Sequence, residues 1–166
     1  MNESDSELKA KNDEIEKLYE DYQKELKEVD EELAKKLDSA VEKISNQEKL
    51  INDKDIEITR KTAEINSAEV NYNNAVSTRE SLEATLNSLN STDTSNMSDD
   101  SLAELSAKKR ELETQIEAAK AAEKAALEEL NLRKEEKVAL EKEKEGLEKQ
   151  LEEFNKEKDE IEAQII

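Results

Sequence analysis

Apolar residues recur in alternating steps of three and four over two long stretches, Leu26 to Leu89 and Leu102 to Ile165. Both runs cover the same 63 steps (26 to 89 and 102 to 165). A seven-residue repeat held this long puts one narrow apolar seam on a helix and gives the remaining surface to water. The fold it predicts is all-α: a long antiparallel two-helix coiled-coil hairpin with an N-terminal helical overhang and a left-handed supercoil.

Composition agrees with a thin seam. Only 34% of the 166 residues are hydrophobic and 2% aromatic, too little for an ordinary globular core. The 43% of charged residues would suit a disordered chain, and the strong periodicity decides against disorder. No proline interrupts the pattern, and the single glycine, Gly146, falls at an exposed helical position, where it costs about 1 kcal/mol relative to alanine.

In the second run the d positions, Leu105, Leu112, Ala119, Ala126, Leu140, Leu147, Phe154 and Ile161, are apolar except Arg133. Its a positions mix Leu102, Ile116, Leu130, Leu151 and Ile165 with Lys109, Glu123, Lys137, Lys144 and Lys158. In the first run the a series carries the apolar weight, through Leu37, Ile44, Ile51, Ile58 and Ile65, while d includes Gln47, Lys54 and Lys61. Residues 90–101 separate the runs and are rich in Asn, Asp, Ser and Thr, whose side chains compete with helical backbone bonds. This stretch reads as a polar turn. Ser101 with Glu104 fits a capping box, and Ser98, followed by Asp99 and Asp100, is an alternative start one turn earlier. The organisation expected is an unpaired extension at 1–25, a first coiled-coil helix at 26–89, a turn at 90–101 and a second helix at 102–166.

Folding at this turn makes residue i face residue 191 − i. Ile44 then meets Leu147, Ile51 meets Leu140, Leu86 meets Leu105 and Tyr72 meets Ala119. Each large apolar side chain is worth about 1.5 to 3 kcal/mol if fully buried. One layer is polar, with Lys54 facing Lys137 and with Lys61 and Lys144 at the next core positions. Long lysine stems can cover the seam while Glu48, Glu57, Glu136 and Glu141 accept their heads, which makes this layer a solvated weak point or, on the second reading, a docking site.

Upstream, Leu8, Ile15, Leu18 and Tyr22 continue the apolar stripe, and the steps of four from Leu18 to Tyr22 to Leu26 are a stutter. Their partners would lie near positions 169 to 183. The chain stops in mid-pattern at Ile166 without a stop signal, so it reads as cut from a longer protein. On the other reading the stripe binds a protein partner, itself included, as a helix in a groove or an added bundle strand.

Without His or Cys, the Ser-His-Asp, Cys-His and zinc constellations cannot be built. Neither an enzyme nor a cofactor or metal site is expected. The net charge of −19 argues against nucleic acid and anionic membrane surfaces, which recruit clustered Lys and Arg. Neither a signal peptide nor an apolar run of about 20 residues is visible, so no membrane insertion is expected and the compartment stays open. In architecture the paired heptads resemble the coiled-coil arms and stalks of chromosome-maintenance ATPases, bacterial secretion-apparatus stalk proteins, phage assembly scaffolds and the N-terminal regions of Gram-positive cell-wall hydrolases. The function expected is a scaffold, about 95 Å long for 63 residues per arm, that mediates protein assembly. The alternative is a regulatory or stalk region of a larger enzyme or assembly.

Overall fold

A computed structural model describes residues 3–165. The expected element ends at positions 1 and 166 lie outside the described residues. Two α-helices make up the fold, α1 (Glu3–Asn90) and α2 (Asp99–Gln164), packed against each other as an all-α hairpin. No residue among those described adopts a positive φ, so the turn is made without backbone strain.

The turn, residues 91–98, is shorter than the 90–101 read from composition. Ser98 is the residue that starts α2. Its hydroxyl accepts from the Ser101 amide at 3.2 Å, and its carbonyl accepts the first helical bond from Leu102 at 2.9 Å. The serine at 98 thus takes the capping role one turn ahead of Ser101, and Asp99 and Asp100 fall in the first turn, where the helix dipole favours acids. Inside the turn the Asp93 carboxylate accepts from the amide (3.0 Å) and hydroxyl (2.6 Å) of Ser95, which hold its pKa below the usual carboxylate range. At the end of α1, Ser91 still donates its amide to Asn87.

Burial follows the heptads. From Leu33 to Leu89 in α1, and from Leu105 to Ile161 in α2, all of the seam positions are buried or half-buried. By spatial clustering the chain divides into two compact units, one combining α1 up to Asn52 with α2 from Glu145, the other spanning Asp53–Lys144. In the first unit Leu33, Ala40, Gln47 and Ile161 are buried. Lys43 Nζ sits 5.9 Å from the centre of the Phe154 ring, within cation–π range. In the second unit Ile65, Ala68 and Leu130 form a core against which Tyr72 packs, and Leu105, Ile116 and Ala119 are buried as well.

The register differs from the expected 191 − i. Gln47 bonds Gln150, Lys54 bonds Glu143, Lys61 bonds Glu136 and Arg133 bonds Glu64, and the numbers of each pair sum to 197 (for example 54 and 143). Ala68 and Leu130, in one core, sum to 198, which is seven more than 191. The pairing is therefore antiparallel, as read, but displaced by one heptad. A slip of seven residues returns the same a and d positions to the seam, so the apolar pattern identifies the face without fixing the partner. In the observed register Lys54, Lys61 and Arg133 each reach a carboxylate of the opposite helix, Glu143, Glu136 and Glu64 respectively. Tyr72, expected opposite Ala119, packs instead on the Ile65, Ala68 and Leu130 core.

The overhang lengthens by the same heptad. Leu26 and Val29 are exposed, and Leu33 is the first buried residue of α1. The unpaired part of α1 therefore runs to about residue 32 rather than ending at 25.

Candidate functional site

The overhang carries the stripe singled out in the sequence. Leu8, Ile15, Leu18 and Tyr22 are each at least 60% exposed, and Tyr19, Leu26 and Val29 join them as exposed large apolar residues. At 100° per residue, all seven fall within an arc of about 100° on α1, and Leu33 lies inside the same arc. The stripe is thus continuous in phase with the seam that α2 covers. Soluble proteins rarely leave so many large apolar side chains together in water without a use for them.

Four acids line one edge of the stripe. Glu7 precedes Leu8, Glu14 precedes Ile15, Asp21 precedes Tyr22 and Glu28 precedes Val29, each seven residues after the last, and all four are exposed. They lie outside the apolar pattern, and their heptad spacing is the signal that marks them.

The charged part of the seam lies in the second unit. Lys54 Nζ contacts Glu143 at 2.7 Å and Glu57 at 3.5 Å. Lys61, only 15% exposed, donates to Glu136 and lies 2.9 Å from Glu64. Arg133 reaches Glu64 at 3.0 Å, Lys144 reaches Asp55 at 2.6 Å, and Lys137 lies 3.9 Å from Glu141. Of the four acids proposed as acceptors, Glu57, Glu136 and Glu141 serve. Glu48 is exposed and holds none of these lysines among the described residues. Lys54 and Lys137 do not face each other: after the one-heptad displacement Lys54 reaches Glu143 across the seam, while Lys137 lies by Glu141 of its own helix. Nearer the turn, Arg79 and Glu123, both at a positions, pair with each other, and Arg79 also reaches Glu83 at 3.0 Å.

These contacts set the protonation states. The hydrogen bond to Glu143 raises the pKa of Lys54 above its ordinary 10.5, and the bond to Glu136 does the same for Lys61. Lys61 in turn lowers the Glu64 carboxyl below 4.5. A lysine acting as base or nucleophile needs a depressed pKa, so the shift here runs opposite to the one catalysis uses. A groove of about 360 Å³ beside these residues is lined by Glu57, Arg60, Lys61, Glu64, Glu136, Ala139 and Leu140. Most of its charged walls already satisfy one another.

Gln47 is the residue whose role composition did not reveal. It is 5% exposed, and its amide donates to the Leu147 carbonyl at 2.9 Å and to Gln150 Oε1 at 3.1 Å. A neutral polar residue at d between Ile44 and Ile51 could have been read as a register device, the use that a single buried amide serves in other coiled coils. No buried side-chain polar atom among the described residues lacks a partner. Nor do the described residues include a cluster of three or more metal-ligating side chains, or a helix long and apolar enough to cross a membrane.

No family model matches the chain, and no curated protein or solved structure matches it either.

Proposed function

We propose that this chain is a non-catalytic structural protein, a coiled-coil spacer that brings other proteins together, with the overhang of α1 as its attachment point. One observation carries the reading: seven large apolar residues stand exposed in phase with a seam that buries the same kind of residue a few turns on. A helix without tertiary packing relies on weak local terms, so a long exposed amphipathic segment gains most of its stability when something covers it. The charged seam supports the same reading, since Lys54, Lys61 and Lys144 are held by carboxylates of the opposite helix.

A photo-crosslinking residue placed at Leu18, in the cells that produce the protein, tests this. A discrete adduct that disappears when Ile15→Asp is added supports attachment through the stripe. Absence of any adduct, from a chain that melts like the parent, would falsify it.

A further inference from the structure

We propose that the hairpin holds two registers a heptad apart, and that α2 slides along α1 between the observed one and the one in which residue i faces 191 − i. In the observed register the numbers of level residues sum to 198, as those of Ala68 and Leu130 do in one core. A slide of seven residues is an axial shift of about 10.5 Å at 1.5 Å per residue. It is cheap only if apolar layers, ion pairs and the turn are served equally well on both sides of it. The inference stands apart from the exposed stripe and holds whatever covers the overhang.

The apolar layers balance in each compact unit taken by itself. In the first, four layers are apolar on both helices in the observed register (33 with 165, 37 with 161, 44 with 154 and 51 with 147). Four are apolar in the other (26 with 165, 37 with 154, 40 with 151 and 44 with 147). The second unit has five in the observed register (58 with 140, 68 with 130, 72 with 126, 82 with 116 and 86 with 112). It has five again in the other (65 with 126, 72 with 119, 75 with 116, 86 with 105 and 89 with 102). No large side chain among those described is completely buried, so none locks one register by shape.

The charges repeat with the same period. Lys54, Lys61 and Arg133 reach Glu143, Glu136 and Glu64 across the seam. After a slide of seven those places are taken by Glu136, Glu129 and Glu57, so each cation meets a carboxylate again. Glu57 and Glu129 hold cations of their own helix in the observed register, Lys54 at 3.5 Å and Arg133 at 3.6 Å. Lys137, now by Glu141 of its own helix, would take the place beside Asp55 that Lys144 occupies. The slide breaks the bonds of Gln47 to Gln150 and the Leu147 carbonyl, and the pair of Arg79 with Glu123; Arg79 keeps Glu83 in its own helix.

The turn does not oppose the motion. Carried to the end of α1, the observed register sets Asn90 level with Lys108, nine residues beyond Asp99 where α2 begins. The slide sets Asn90 level with Ser101, two residues beyond Asp99, so the turn has less distance to span. Its residues are exposed apart from the half-buried Met97 and give up little packing. The fold thereby gains lengthwise motion of one helix along the other with the apolar face kept covered, and a ligand that prefers either register drives it.

The chain has no cysteine, so three introduced thiols read the register directly. In the variant Ile44→Cys, Leu147→Cys, Phe154→Cys, the thiol at 44 closes on 154 in the observed register and on 147 in the other. Positions 147 and 154 lie about 10.5 Å apart on one helix and cannot bridge each other. Tyr72→Cys, Ala119→Cys, Ala126→Cys does the same in the second unit, where 72 closes on 126 or on 119. After equilibration in glutathione buffer, with the chain helical by circular dichroism and monomeric by sedimentation, peptide mapping should find both disulfides in each variant. The one of the second register should make up about a tenth of the total or more. Glu64→Gln with Glu143→Gln removes acceptors used only in the observed register and should move the ratio toward the other by about threefold; Glu57→Gln with Glu129→Gln should move it the opposite way. Disulfides to 154 and 126 alone overturn the proposal. So does a ratio that neither pair of glutamine substitutions moves, which is also what an unfolded chain closing at random would give.

Discussion

Leu26 and Leu33 are the same residue on the same face of the same helix, seven positions apart, yet one is 49% exposed and the other 9%. Nothing local distinguishes them. The difference is α2, which covers α1 from Leu33 and leaves the stretch before it bare. A heptad stripe states which face of a helix is to be covered; what covers it is a separate fact.

The largest test of that contrast sets a covered leucine against an uncovered one. Leu130→Ala, in the core with Ile65 and Ala68, should cost about 2 to 5 kcal/mol in urea denaturation, and Leu18→Ala in the overhang should stay within about 0.5 kcal/mol. Equal effects would mean that the overhang is packed in solution. Next comes the start of α2: Ser98→Ala should cost about 1 kcal/mol in the same measurement and Ser101→Ala clearly less, because the hydroxyl of Ser98 accepts the exposed amide. If Ser101→Ala were the costlier change, the cap would lie one turn later.

The charged layer should respond in the opposite direction to the apolar one. Replacing Lys54 and Lys137 together by leucine should raise the melting temperature, since apolar residues often outperform ion pairs at seam positions. A fall with unchanged oligomeric state would show that the ion pairs stabilise more than they constrain. The smallest effect is a titration. Glu64, held down by Lys61, should protonate below its ordinary 4.5 by carboxyl NMR, and Lys61→Met should move that midpoint upward. The associated stability is present in full above about pH 4.5 and is lost as pH falls through the lowered folded value. For Lys54 and Lys61 the sign reverses, with the contribution intact below about pH 10.5 and lost as pH rises through their raised values. An unshifted Glu64 midpoint would place Lys61 away from it in solution.

Much of the fold was legible in the sequence. The a and d residues from Leu33 to Leu89 and from Leu105 to Ile161 are all buried or half-buried and include every fully buried residue described, and the polar stretch between the runs does contain the turn. The register was not legible from apolar residues, because Ile44, Ile51 and Ile58 present the same face to α2 after a slip of seven. The amide of Gln47, bonded across the seam to Gln150 and the Leu147 carbonyl, is a contact that a slip of seven changes, and it forms only once a second helix is set beside it. For the candidate site, the stripe residues were readable one by one. The acidic edge lies outside the apolar pattern, and Glu7 and Glu14 alone are two acids among many.

The seven-residue displacement also bears on how such a chain can change in length. Insertion or deletion of seven residues in one helix leaves each apolar position on the seam and alters which side chains meet across it. A departure of three or four is absorbed by local rewinding, as at the stutter from Leu18 through Tyr22 to Leu26, whereas one or two residues turn part of the apolar face into water. Length here comes in steps of the helical repeat, and the contacts of Gln47, Lys54, Lys61 and Arg133 across the seam are where a gained or lost repeat would be felt.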